Sequence, residues 1–542
     1  MYLISLRTTR LILLLLSIVS LQGCYQNKQL TDNTLIYCTE NNPTSFNPQI
    51  SNDLASLDAT THQIFNRLVK LDSNTNRFIP DLAESWQQSD DKLHYRFTLR
   101  KNISFHHTDF FTPTRFFNAD DVLFSFNRML DIQHPYHTVN NQMESYSYSH
   151  PFSNLLSKIN KIDEHTVEFV LSKPDVTLLA NLAAHYAVIQ SKQYADQSLQ
   201  RGQPEKIDFQ PIGTGPFKFK SYTSNGVIRY QKNELYWQDM TNIENLIYIT
   251  NPSATKRYSK LLSGECDVIS YPAASQLEAM SKNKEIILNS KSTSNIALWA
   301  FNTKQTILQD DKVRYALSQA IDKKTILQAV YFQSAIQTNT LLSKQSWALK
   351  PRIDENIYAS QQAKEKLQTL NYDFSKTLSI LVPENAAVFN PNFHKTAELI
   401  QSNLADIGVM AKIESLSGTA LQARLFSGDY DTYLTGINVH INDPDSIFRP
   451  LLSCASSPEN GNSSRWCSPH TESLLEQSLT ESNFAQRIKS YYLLQDEIYK
   501  KRPYLPIAHV LRLDAISSSV LNVQVNPLTG INFQYAIKQD LN

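Results

Sequence analysis

The chain runs to 542 residues and offers no obvious place to divide it. A single hydrophobic core stops growing well below that length, so two or three domains are expected. Yet no Gly/Ser-rich linker, low-complexity tract or internal repeat interrupts the sequence, and glycine numbers only 12. Domain boundaries must then be crossovers of the chain itself, as in proteins whose lobes close on a ligand. A hydrophobic fraction of 41% with 19% charged residues supports packed interiors.

The local patterns are mixed α/β throughout. "NTLIYCT" (33–39), "HTVEFVLSK" (165–173), "PFKFKSY" (216–222) and "VIRYQKN" (227–233) read as strands, and "LHYRFTLRKNISFH" alternates as half-buried strands do. "HQIFNRLVKLD" (62–72) has the apolar spacing of an amphipathic helix. "NADDVLFSFNRML" (118–130) places Asn118 at a helix start with acids in the first turn, which satisfies free amides and the dipole. "KVRYALSQAIDKKTILQAVYF" (312–332) predicts one long helix opened by "LQDD". "KTLSILVP", "FHKTAELIQSNLADIGV" and "MAKIESL" form a β-α-β unit whose helix ends at Gly408, and the helix beginning "AQRIKSYYLL" stops near Pro503 before a strand.

The N-terminus reads as a targeting segment. Arg7 and Arg10 precede the apolar run Leu11 to Ser20, which is too short for a comfortable membrane span and fits a signal-peptide core. The following "LQGC" resembles a bacterial lipobox, which assigns residues 1–23 to the signal peptide and makes Cys24 the lipidated first residue; plain cleavage without lipid is the alternative. An exported chain can hold disulfides. With Cys24 lipidated, Cys38, Cys266, Cys454 and Cys467 remain. Cys454 and Cys467 flank a polar loop and suit a local staple, which leaves Cys38–Cys266 to tie the N-terminus to a distant segment.

Several function classes drop out. The formal net charge is zero, without the basic excess of a nucleic-acid binder. Removing residues 1–23 takes away two Arg and no acid, leaving 49 basic against 51 acidic residues. No nucleophile elbow, P-loop, HExxH or dinucleotide fingerprint is present, so no enzyme is predicted. "GTGPF" (213–217) reads as a turn. His134 and His137 in "HPYH" have a possible metal spacing but no acidic partners nearby, and no metal site or cofactor is assigned. The loop from His134 to His150, rich in His and Tyr, is either an exposed polar loop or a cleft wall contributing Tyr146 and Tyr148. "GINVHINDPDSIF" (436–448) follows a hydrophobic strand with Asn438, His440, Asn442, Asp443 and Asp445, and reads as a turn or as the floor of a site.

"DLAESWQQSDDKLHYRFTLRKNISFH", "FNADDVLFSFNRM", "PIGTGPFKF", "GECDVI", "FNTKQTILQDDKVRYALSQAID" and "NDPDSIFRPLLSC" together resemble, in order, the blocks of family 5 of the bacterial extracellular solute-binding proteins. The resemblance spans roughly residues 33 to 535. It implies a three-lobed periplasmic binding protein fold (type II, cluster C-like), with lobe I assembled from 25–65, 214–292 and 512–542, lobe II from 66–213 and lobe III from 293–511. Lobes I and III would close over a ligand. The paired cysteines resemble the two bridges of dipeptide-binding relatives.

Within the family the blocks look most like the binding component of a peptide importer associated with resistance to antimicrobial peptides and, in some bacteria, with haem uptake. The resemblance thus implies a monomer in the periplasm, held by Cys24 where lipidated. It would bind peptides and deliver them to an inner-membrane ABC permease and ATPase. Haem as cargo of the same class of importer, and a peptide-binding chaperone without a transporter, are the rivals. Carried position by position, the cleft residues would be Ser45, Phe46, Asn47, Phe389, Asn390, Gly436, Ile437, Asn438, His440 and Asp443. The aspartate that grips a peptide's ammonium in such relatives is replaced here by His440, and the arginine for the carboxylate falls at Ala387 or Val388. An imidazole cannot supply the carboxylate's charge. Recognition of short peptides by both ends is therefore expected to be weak, unless Asp443 or Asp445 takes over through a shifted loop.

Overall fold

The computed structural model describes residues 33–72, 75–139, 154–351, 358–439 and 441–539. Its spine is an 11-stranded sheet in which Met410–Leu416, Thr377–Pro383, Thr432–Ile437, Ile286–Phe301, Tyr504–Ser517, Val268–Ser270, Thr34–Thr39, Asn245–Thr250, Val227–Lys232 and Phe217–Thr223 lie side by side, with Ala335–Gln337 pairing onto Tyr504–Ser517. Two strands in the middle are unusually long. Ile286–Phe301 and Tyr504–Ser517 run antiparallel from Ile286/Ser517 to Ser292/Leu511, lose register, and resume at Ile296/His509. On one side of this break the two strands meet Val268–Ser270, and on the other they meet Thr432–Ile437 and Ala335–Gln337. Thr293 holds the irregular stretch: its Oγ1 donates to the Val510 carbonyl at 2.7 Å and accepts from Asn295 N at 3.1 Å. A bulge of this kind bends and twists a strand pair.

Separate cores flank the break. Tyr37, Phe46, Phe65, Tyr230, Tyr248 and Phe533 share one, so chain segments hundreds of residues apart are packed together. Trp299, Leu317, Ile380, Ile400 and Leu505 belong to another. A third, with Phe97, Phe117, Phe126 and Phe169, lies under a four-stranded antiparallel sheet in the order Ala83–Gln88, His94–Leu99, Thr166–Leu171, Leu156–Asp163. Helix Ala119–Leu130 packs there and starts as its sequence predicts. Asn118 Oδ1 accepts from Asp120 N at 3.0 Å, and Asp121 Oδ2 accepts from Asn118 N at 3.1 Å while Arg115 clamps Asp121 with two bonds at 2.7 and 2.8 Å.

Both disulfides are present. Cys38–Cys266 joins a strand to the start of its parallel neighbour, with Cα atoms 5.9 Å apart, and Cys454–Cys467 closes a loop of separation 13. The β-α-β unit is also present, with Thr377–Pro383 and Met410–Leu416 parallel around helix Phe393–Asp406.

Two predicted helices differ. Residues 62–72 are a turn, a bridge and the strand Val69–Asp72. Their carbonyls are taken by distant amides: Gln63 O accepts from Phe217 N, Ile64 O from Gly215 N and Leu68 O from Ala83 N. Gly213 and Gly215 press so closely that a Cβ on either would fall within 2.6 Å of these carbonyls. The apolar spacing therefore serves burial on both sides of an extended chain. The predicted helix 312–332 is broken into Asp311–Gln319, Lys323–Ile326 and a wide turn Leu327–Tyr331. Asp322 competes with the helix ladder by capping Lys324 N and Thr325 N, and its own N donates to Asn403 Oδ1 at 2.9 Å.

Candidate functional site: a cleft at the end of the first strand

In open α/β sheets, ligands sit beyond the carboxyl ends of parallel strands. Thr34–Thr39 is parallel to both its neighbours, and the chain leaving it, Thr39 to Asn42 with Thr44, forms one wall of a cavity of about 720 Å³. Helix Leu54–Thr60 and Arg512 also contribute to that wall. Thr293 and Asn295, from the break in the long strands, and Val388, Asn438 and Val439, from its other side, face them. The cavity thus lies between two parts of the fold joined by that break. Its size is that of pockets enclosing small ligands.

Most charges lining it are spent. Arg512 Nη1 and Nη2 donate to the two Asp58 carboxylate oxygens at 2.8 and 2.9 Å, and Nε donates to Asp514 at 3.1 Å. Asp58 also accepts from Tyr37 Oη at 2.7 Å and Ile531 N at 2.9 Å. Asp53 caps helix Leu54–Thr60; burial pushes its carboxyl up, but hydrogen bonds from Ser51, Thr44 and Ser56 outweigh this and hold it below the usual range. Glu40 is different. Among the described residues no hydrogen bond or ion pair engages its carboxylate. An unpaired carboxylate beside side-chain amides and hydroxyls, with Leu54, Val388, Val439 and Val510 as apolar surface, suits a ligand with a cationic group and an apolar body.

The residues named from the sequence are placed unevenly. Asn438 lines the cavity, and Val388, one of the two positions at which the resemblance puts the arginine of dipeptide binders, is exposed to it. Ser45, Phe46 and Asn47 are buried away from it: Phe46 packs on Phe219 and Tyr222, Asn47 Nδ2 donates to Asp208 at 2.7 Å, and Asn47 Oδ1 accepts from Gln190. Asn390 is buried in a turn and bonds Thr396. Ile437 is half-buried against a core that includes Ile296, Leu298 and Tyr433. Gly436 is required by close approach, since a Cβ there would sit 2.2 Å from the Ile296 carbonyl and 2.3 Å from the Phe389 ring. Asp443 is locked away from the cleft by Arg487, whose Nη1 and Nη2 donate to it at 2.7 and 2.8 Å. It lines a separate cavity of about 190 Å³ with Asp175 and Asp445, and Arg449 pairs with Asp445 at 2.9 Å. Both carboxylates are thus held by arginines and neither lines the cleft, contrary to the expectation that Asp443 or Asp445 takes over through a shifted loop. Cys24, Tyr146, Tyr148 and His440 lie outside the described residues.

Sequence reasoning missed Glu40, Thr44, Asp53 and Asn295. The available signal was the polar turn "ENNPTSFNP" after a strand flanked in parallel, but parallel pairing is not visible in one sequence. The two histidines of "HPYH" are used locally: His134 Nδ1 accepts from Tyr136 N at 3.1 Å, and His137 Nδ1 bonds the Arg128 carbonyl at 2.9 Å. Among the described residues no group of three or more His, Cys, Asp or Glu is arranged to hold a metal, and no helix is long and apolar enough to cross a membrane.

Comparison with known proteins places this geometry. The profile of the bacterial extracellular solute-binding proteins, family 5 Middle, matches residues 77–459. The chain is 37% identical over 504 residues to the peptide transport periplasmic protein SapA of Salmonella typhimurium, covering 93% of this chain and 92% of that protein. It is 35% identical over 513 residues to heme-binding protein A of Haemophilus influenzae, covering 95% and 93%. The structure of HbpA2 from Haemophilus parasuis superposes with a TM-score of 0.89 at 34% identity, covering 94% of this chain and 100% of that one.

Proposed function

Because the chain belongs to family 5 of the bacterial extracellular solute-binding proteins, we propose that it is the periplasmic substrate-binding component of a peptide-type ABC importer, without enzymatic activity of its own. Cargo enters the 720 Å³ cavity and is handed to inner-membrane permeases coupled to an ATPase. The observation that carries this reading is the cavity itself, walled from both sides of the break in the long strands and carrying the Glu40 carboxylate, which no hydrogen bond or ion pair engages among the described residues. Lobe I (25–65, 214–292, 512–542) and lobe III (293–511) would close by bending near Ser292–Asn295 and Val510–Leu511, with lobe II (66–213) as support. Closure is driven only by contacts that the ligand makes in the closed state.

A volume of this size encloses a short peptide segment, not a folded antimicrobial peptide. Glu40 would hold a cationic group of the cargo, in place of the aspartate that peptide-binding relatives carry at the position of His440. The likeness to a heme-binding protein favours haem as a second reading.

Native mass spectrometry of freshly purified wild type and Glu40→Gln tests both. Peptide adducts that are abundant on the wild type and depleted on Glu40→Gln support the first reading. A haem adduct with a Soret band and no peptide supports the second. Equal peptide occupancy on both proteins overturns the role of Glu40.

A further inference from the structure

A second cavity, of about 400 Å³, is walled by His62 to Asp72, the short helix Leu178–Leu182 with Ala183 and Ala184, and the segment from Gln524 to Tyr535; Leu528 touches both this cavity and the cleft. Its unusual member is Arg67. The residue is 5% exposed, and its main chain is fixed by an antiparallel bridge to Val188. Among the described residues neither Nε nor Nη1 of Arg67 has a hydrogen-bond partner.

Two acids line this cavity, Asp72 and Asp81, and neither forms an ion pair with the guanidinium within 4.0 Å among the described residues, although the charge of Asp81 acts on it from a distance. The Asp81 carboxylate accepts from the Arg67 backbone N at 2.9 Å and from Gln238 Nε2 at 3.0 Å. Lys70 reaches only Gln238 Oε1, at 3.5 Å, and His62 Nε2 is paired with Thr529 Oγ1 at 2.7 Å. A guanidinium stays charged at any physiological pH, and burying one with unmade hydrogen bonds is costly. Arg512 and Arg487 spend their donors on Asp58 with Asp514 and on Asp443, and Arg502 and Arg128, which also leave guanidinium nitrogens without partners, lie over the rings of Tyr315 and Tyr499 and of Phe124 and Tyr136.

We propose that this cavity is a second ligand site, separate from the cleft, that binds a carboxylate through the fork of Arg67 with Lys70 adding positive charge. A carboxylate matches the fork with two parallel charge-assisted bonds. The volume limits the ligand to a small acid or to the acidic end of a longer molecule. The inference does not depend on what the cleft binds.

The test is calorimetric titration of wild type, Arg67→Met and Arg67→Lys with N-acetylglycine and its amide, and with trialanine and its amide, alongside thermal melts of the unliganded proteins. Carboxylate forms should bind the wild type and their amides should not. Arg67→Met should weaken carboxylate binding on the order of ten-fold or more, the loss of hydrogen bonds to a charged group. Arg67→Lys, which keeps the charge without the fork, should fall between. Unliganded Arg67→Met should melt no lower than wild type, because it removes a buried charge without a partner; a purely structural arginine would give a lower melt. Arg67-dependent binding of both carboxylates identifies a free small acid as the ligand. Dependence seen with trialanine alone identifies the end of a peptide. No carboxylate binding to the wild type, equal binding of acid and amide, or equal affinity in wild type and Arg67→Met overturns the proposal.

Discussion

Replacing Asp443 with Ala separates a structural carboxylate from a ligand contact. Both partners of the Asp443–Arg487 pair are nearly buried, with side chains 6% and 8% exposed. The guanidinium donates twice to Asp443, Tyr491 Oη approaches the same carboxylate at 3.3 Å, and Asp445 N donates to it at 3.0 Å. Arg487 is otherwise held between the rings of Trp347 and Tyr491, at 5.2 and 5.4 Å, and by Ser478 O at 2.7 Å. In Asp443→Ala it cannot leave this packing, so a charge is stranded in the interior. Breaking a buried pair this way costs about 3–5 kcal/mol, whereas replacing both partners by apolar residues is often nearly neutral. Asp443→Ala should therefore lose about 3–5 kcal/mol and Asp443→Leu with Arg487→Met much less. Urea unfolding followed by tryptophan fluorescence measures this, with Trp347 reporting from the site. A loss below about 1 kcal/mol, the range of an exposed pair, accompanied by a collapse in peptide affinity would refute the reasoning and return Asp443 to the ligand.

Gly436→Ala should destabilise the protein by roughly 1–3 kcal/mol, the range for overpacking, because the added methyl meets the Ile296 carbonyl and the Phe389 ring; thermal melts check this, and a neutral result would mean that this wall yields. Lys323 is buried against the Thr338 and Pro506 carbonyls, and burial, with the charge of Arg502 acting the same way, pushes its pKa down to about 7. The unfolded state then binds more protons between pH 7 and the ordinary lysine range. Its stability contribution is present at high pH and lost as pH falls through about 7, so wild-type stability relative to Lys323→Met should rise from pH 7 to 9.5 in parallel urea melts, within the window of roughly 7 to 10.4. His440→Asp should strengthen binding of free tripeptides by roughly 1.5–3 kcal/mol and leave N-acetylated ones unchanged; calorimetry decides, and tight wild-type binding with a preference for the free N-terminus would reject the role assigned to the imidazole.

Some of this was legible in the residues alone. The capping of helix Ala119–Leu130 by Asn118, the β-α-β unit closed by Gly408, and the stop at Pro503 are local signals, and local chemistry decides them. The cysteine spacing and the family blocks gave the pairing of the disulfides and the family. Segment 62–72 was not legible, because its apolar spacing fits both a helix and a strand buried on two sides. What resolves it is a set of carbonyl acceptors for amides outside the segment, those of Gly215 and Phe217 among them about 150 residues away, together with two glycines that let the chains touch. The site behaves likewise. Sequence pointed to the strand end at Gly436 to Asn438, and Asn438 does reach the cavity. Whether an acid there is free depends on what packs against it. Asp443 and Asp58 are taken by Arg487 and Arg512, from distant parts of the chain, while among the described residues the Glu40 carboxylate and Nε and Nη1 of Arg67 have no hydrogen-bond partner. Charge type is written in the sequence, but charge compensation exists only after folding brings the partners together.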